Sequence, residues 1–276
     1  MSEESKELAT VDKDVLAKLR EGSGENTPQR PFIPIIQVDN RKVAEKLSSG
    51  RETEVLCEPR WKRLDKDENG EYVTTELKPF GGVVLKIMWQ VNNQGKWDAA
   101  SGRMVPNGAP YFTSQLFNPS VFFGNGLVNI RYTEDGRTES MTYKELKGMY
   151  PEMFKLTGWM FVLYNNEVVR VKVTGASRSS LFDYLKVFKA NDSISAHPTV
   201  FGVEFVEKPQ PHNRAKFEVA TDPDVPFDIN KVLEAQTQIN EMFNSSTHKV
   251  MEAMGGEVVE EGVVEEEIKV DAIPFK

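Results

Sequence analysis

Trp159-Met160-Phe161-Val162-Leu163-Tyr164-Asn165-Asn166-Glu167-Val168-Val169-Arg170-Val171-Lys172-Val173 reads as two β-strands joined by the shortest turn a hairpin uses. Asparagine tolerates the positive φ that a two-residue type I′ turn needs at both central positions, so Asn165-Asn166 makes the turn. That turn sets Trp159 opposite Lys172, Phe161 opposite Arg170 and Leu163 opposite Val168, all on one face. Met160, Val162 and Tyr164 meet Val169, Val171 and Val173 on the other, which is uniformly apolar and suits a core. The first face places two aromatic planes beside two cations. Unpaired bases stack on aromatic rings at about 1–3 kcal/mol each while Lys and Arg follow the phosphates. A half-buried sheet face with snorkelling Lys and Arg stems carries the same residues, and a three-residue loop would flip the register.

Outward from this hairpin, strand-like runs lie around 53–63, 71–78, 83–91, 127–133, 199–206 and 214–220, with a first strand at Pro31-Phe32-Ile33-Pro34-Ile35-Ile36. Thr142 with Glu145 three residues on forms a capping box for a helix to Gly148. A second helix spans 178–189. A third, about Asp228 to Asn244, carries Ile229, Val232, Leu233, Ile239, Met242 and Phe243 at helical spacing. The expected class is mainly β with a few helices (α+β). Hairpin, helix, strand, strand in the second half is compatible with an elaborated five-stranded oligonucleotide-binding (OB-like) barrel, as with other small barrels and α+β sheets.

Residues 1–27 read as an N-terminal arm with a short helix, 28–246 as one β-rich domain closed by the third helix, and 247–276 as a disordered acidic tail. The 276 residues hold 34 bases and 42 acids, for a net charge of −8. That charge is unevenly spread: 28–220 hold 22 acids and 26 bases, whereas 252–276 hold eight acids and two bases. A mildly basic body between acidic ends leaves a polyanion open as ligand. No apolar run approaches the roughly 20 residues a membrane span needs, so no membrane association is expected. The polar start and the lone Cys57 point to a cytoplasmic protein, in the host cytoplasm if phage-encoded. One Cys and three scattered His supply no zinc spacing, and no metal or cofactor is expected.

Asp65-Lys66-Asp67-Glu68-Asn69-Gly70 with Glu76 matches a calcium-loop pattern, but neither flank is helical, and Asn69-Gly70 between two strand-like runs favours a hairpin turn. No P-loop, dinucleotide fingerprint or Gly-x-Ser-x-Gly occurs, and no enzymatic activity is expected. Arg60-Trp61-Lys62-Arg63, Arg131-Tyr132 and Lys216-Phe217 repeat the basic-aromatic theme. Candidate nucleic-acid contacts are therefore Trp159, Phe161, Arg170, Lys172, Trp61 and Arg131.

The chain ends Asp271-Ala272-Ile273-Pro274-Phe275-Lys276 after a long acidic, glycine-containing run. This resembles the acidic tip of bacterial single-stranded DNA-binding proteins and the acidic, aromatic-tipped tails of phage-encoded ones. Ala272 stands where that family has an acid, and Lys276 follows the phenylalanine. The resemblance implies sequence-tolerant binding and protection of single-stranded DNA in replication and recombination, on an oligonucleotide-binding barrel. It also implies a tail that competes for the DNA groove and recruits replication or recombination proteins through Asp271, Ile273, Pro274 and Phe275. A structural or assembly protein of a phage particle, and a nucleic-acid-processing enzyme, are the alternatives. The sequence leaves the oligomeric state open.

Overall fold

Between Ile35 and Val219 short strands follow one another as the sequence predicts. The chain is described here by a computed structural model covering residues 32–253, apart from 47–51, 99, 100, 102, 123, 125, 189–192, 209, 222–224 and 226. The expected arm at 1–27 and the tail residues beyond 253, including Asp271, Ile273, Pro274 and Phe275, lie outside the described residues.

First come β1 (Ile35–Val38), β2 (Lys42–Lys46), β3 (Glu52–Leu56), β4 (Trp61–Lys66), β5 (Tyr72–Leu77) and the long β6 (Phe80–Asn93). Then follow β7 (Lys96–Asp98), β8 (Arg103–Val105), β9 (Phe112–Ser114), β10 (Leu127–Tyr132), β11 (Thr138–Thr142) and helix α1 (Tyr143–Met149). The last part holds β12 (Lys155–Tyr164), β13 (Glu167–Val173), α2 (Ser177–Leu185), β14 (Pro198–Val206), β15 (His212–Val219) and α3 (Ile229–Ala253). The described part is thus mainly β with three α-helices. The expected run at 53–63 divides into β3 and β4 around Pro59, which has no N–H to give a ladder. Helix α3 runs past residue 246, the expected end of the body.

Strands β11, β10, β9, β6, β12, β13, β1, β4 and β5 lie side by side in that order. Strand β6 carries β12 along one edge and, on the other, β14 near its start and β9 near its end. The β12–β13 turn has φ of 50° at Asn165 and 62° at Asn166, and its register pairs Trp159 with Lys172, Phe161 with Arg170 and Leu163 with Val168. Strand β1 adds to β13 in parallel, Ile35 against Arg170, and carries antiparallel β4 on its far edge. The sheet is not closed by a ladder. Instead Asn213, at the start of β15, gives its side-chain N–H groups to the carbonyls of Asp39 and Cys57, and its backbone N–H to Asn40 Oδ1.

The main core lies on the inner face, where Ile36, Trp61, Met160, Val162, Val169, Val171 and Phe201 are buried. Helix α2 covers one end of it: Leu181 is buried, Phe182 stacks on Trp89 with ring centroids 5.4 Å apart, and the Tyr184 hydroxyl lies 2.6 Å from Thr199 Oγ1. Gly82 is required where β6 meets β12, since a Cβ there would lie 2.7 Å from Val162 Cγ1. A second, smaller core forms on the outer face, where Val232, Ala235 and Ile239 of α3 bury Val83, Leu85, Met88, Trp159 and Phe161. Strand β12 is therefore buried on both sides from Leu156 to Val162. No helix among the described residues is long and apolar enough to cross a membrane.

Candidate nucleic-acid interface

Residues directly paired across strands project to the same side of a sheet, so the ladders define a continuous outer face. One row reads Met88, Trp159, Lys172, Gln37, Lys62 and Glu76; the next reads Lys86, Phe161, Arg170, Ile35, Leu64 and Thr74. Lys155 on β12, Lys66 on β4 and Tyr72 on β5 share that side by two-residue alternation. Six cations stand here against one acid, and Glu76 is already engaged by Arg41 and Arg60 at 3.2 and 2.7 Å.

The pairing of this face differs from that of five arginines elsewhere. Arg41 and Arg60 hold Asp39, Arg63 holds Asp65 and Glu167, Arg137 holds Asp135 and Glu139, and Arg214 holds Glu204. Arg170 and Lys172 have no carboxylate partner among the described residues. They lie instead over the Trp159 ring, 5.3 and 5.8 Å from its centroid. Arg170 Nε is sealed from solvent without a hydrogen-bond acceptor. Burial lowers the pKa of Lys86, Arg170 and Lys172, and the charge of Lys155 lowers that of Lys172 further. Half-buried cations without counter-charge are costly to keep and gain most from an incoming anion.

Helix α3 covers the β6 side of this face. Phe243 packs edge-on against Phe161 at 5.3 Å, Lys86 Nζ donates to Asn240 Oδ1 at 2.9 Å, and Lys231 Nζ donates to Asn166 Oδ1 at the hairpin turn. This corrects the expected role of the two hairpin aromatics as open stacking platforms. Phe161 is 0% exposed beneath α3, and Trp159 is 9% exposed with its indole N–H bound to Gln90 Oε1. As folded, neither offers a free ring to a base. Trp61 is corrected too: it lies on the inner face, fully buried, its indole N–H on the Phe201 carbonyl. Of Arg60-Trp61-Lys62-Arg63, Lys62 joins the basic face, and Arg60 reaches its edge already held by Glu76 and Asp39.

Arg131 is exposed on β10, beyond β9 and β6, and does not join the cluster. Lys216 pairs with Glu218, and Phe217 is buried. What the sequence reading missed is Tyr72, 63% exposed at the far edge of the face beside Lys66, together with Lys86 and Lys155. Two-residue alternation through β4 and β5 was the signal available for Tyr72.

The calcium-loop pattern folds as the β4–β5 hairpin, with Asp67 Oδ1 accepting the backbone N–H groups of Asn69 and Glu71. Asp65 and Glu76 fall on opposite faces of that hairpin, so they cannot converge on one ion. Among the described residues no group of three His, Cys, Asp or Glu side chains is placed to hold a metal. Set against protein-family models, curated proteins and solved structures, the chain gives no match.

Proposed function

We propose that the protein is a non-catalytic, sequence-tolerant binder of single-stranded DNA that holds the strand across the outer face of β12, β13, β1 and β4. The observation that carries this reading is the pair Arg170 and Lys172, half-buried beside Trp159 without a carboxylate. Phosphates would supply the missing counter-charge, and exposed Tyr72 a ring for stacking. The connectivity supports it: β6, β12 and β13 lie antiparallel side by side, with β7 to β11 and α1 inserted between the first two, α2 follows, β14 returns against β6, and β15 pairs with β14. That order fits a five-stranded oligonucleotide-binding barrel, elaborated by β1 beside β13.

The tail has its place in this reading. Helix α3 begins beside the hairpin turn, reaches Lys86 by Asn240, and leads in sequence to the acidic residues beyond 253. Tethering gives a weak competitor a high local concentration. With DNA bound, the tip Asp271, Ile273, Pro274 and Phe275 would be free for replication or recombination proteins.

Titration of a fluorescein-labelled oligo-dT across a salt series tests the function. The expected result is saturable binding that weakens steeply as salt rises. A regular oligomer with no affinity for the oligonucleotide would make this an assembly protein, and metal-dependent breakdown of the probe would make it an enzyme. Either outcome refutes the proposal.

A further inference from the structure

The outer face does not stop at β6. Lys155 pairs with Asn92, Asn92 with Thr113, Thr113 with Arg131 and Arg131 with Thr138. Paired residues share a side, so these five form one row on the side that carries Trp159 and Lys172. Three ladder steps separate Arg131 from Lys155, about 14 Å along the sheet. Lys155, Thr113, Arg131 and Thr138 are exposed, and Asn92 is half-buried. No acid interrupts the row. Its neighbours Asn129 and Ser140 are neutral too, whereas Glu139 turns to the inner face and accepts the Tyr132 hydroxyl at 2.9 Å. Asp135, in the β10–β11 turn, is held by Arg137. The side chains of Arg131 and Lys155 make no ion pair or hydrogen bond among the described residues.

Gln90 ties this row to the cluster around Trp159. Its Oε1 accepts the Trp159 indole N–H, and its Nε2 donates to the Ser114 carbonyl at 3.0 Å and to Thr113 Oγ1 at 3.4 Å. Lys155 stands close enough to Lys172 for its charge to be felt there. Arg131 is therefore apart from the cluster but on a surface continuous with it.

We propose that a bound single strand continues past Lys155 along this row, with Asn92 and Thr113 donating to its sugar-phosphate backbone and Arg131 meeting one further phosphate. Cations without counter-charge suit phosphates, and neutral amides and hydroxyls suit the phosphate and sugar oxygens between them. A carboxylate on the row would repel the strand, and none is there. The inference rests on the single-strand reading of the face and extends its footprint by three strands, from β12 to β10.

The test uses the full chain and labelled oligo-dT of about 16 and about 4 nucleotides, the two ends of the range one oligonucleotide-binding fold covers. Each phosphate contact on a single strand contributes about 0.7 to the slope of log affinity against log salt. With the long oligomer, Arg131→Ala should flatten that slope by about 0.7 and lower affinity about eight-fold at 50 mM salt, taking 1 M as the point where the ionic contribution vanishes. Arg131→Lys should restore the slope. Lys147→Ala removes the same charge from α1, whose Leu146 packs into the inner core, and should bind as the parent does. The short oligomer is filled by the central face and should bind the parent and Arg131→Ala alike. An unchanged slope for Arg131→Ala with the long oligomer, an equal loss in Lys147→Ala, or an equal loss with the short oligomer overturns the extension and leaves the central face standing. No affinity of the parent for either oligomer overturns both.

Discussion

Replacing Arg170 and Lys172 together by alanine tests the outer face at its centre. Of the six cations there, Lys86 is held under α3 by Asn240 and Lys66 stands at the far edge beside Tyr72; the four assigned to phosphates are Lys62, Lys155, Arg170 and Lys172. Each phosphate neutralised on a single strand releases about 0.7 of a counterion. Four contacts give a slope of log affinity against log salt of about −3, so affinity should fall about 50-fold between 50 and 200 mM salt. The double variant should retain a slope of about −1.4 and lose only about seven-fold over the same range. Because neither side chain holds a carboxylate, the substitution leaves no acid unpaired, and folding should survive. Fluorescence anisotropy of a labelled oligo-dT at five salt concentrations reads the slope directly. An unchanged slope in a folded double variant would refute the assignment of phosphates to this face.

Deleting residues 254–276 removes seven acids and two bases and moves the net charge from −8 to −3. Single-stranded DNA should then bind more tightly at low salt, with the gain fading as the Debye length falls from ~30 Å at 0.01 M to ~3 Å at 1 M; equal affinities at low salt would exclude tail competition. Phe161→Ala should cost about 3–5 kcal/mol in urea unfolding, since the ring is fully enclosed between β12 and α3; a loss under about 1 kcal/mol would mean that α3 is not seated there. The Arg41 guanidinium bonded to Asp39, with help from Arg60, holds that carboxyl well below the usual range despite its burial. Its folded pKa lies under the unfolded value of about 4, so its stabilisation is present above that pH and lost as pH falls through the folded value. Asp39→Asn should therefore show a smaller drop in urea midpoint between pH 7 and pH 3 than the parent, and an equal drop would discount the cluster.

The hairpin was legible because its information is local. Asn165-Asn166 admits only a narrow set of turns, and the turn fixes every pairing up to Gly158 and Val173. The capping box at Thr142 and Glu145 was legible for the same reason, and both of its bonds form. What could not be read was which side of the hairpin stays open. Periodicity shows that Met160, Val162, Val169 and Val171 share a face, but Trp159 and Phe161 owe their burial to Ile239, Met242 and Phe243, far along the chain. The apolar stripe of α3 had to lie on something, and a sheet face offering Trp159, Phe161, Leu163 and Val168 was its natural seat. The parallel insertion of β1 left no local mark, because strand pairing is set by partners that the sequence of one strand does not name.

That insertion has a consequence for how the protein is made. Strands β1, β4 and β5 leave the ribosome first, yet the edge that receives them belongs to β13, whose first residue is Glu167. At 5–20 residues per second, the roughly 130 residues between take on the order of ten seconds to synthesise. Lys62, Lys66 and Tyr72 are built during that interval, while Arg170 and Lys172 do not yet exist. A nascent chain thus carries four of the six cations, Lys62, Lys66, Lys86 and Lys155, with nothing to join them, and the surface becomes whole only when one of the later strands arrives.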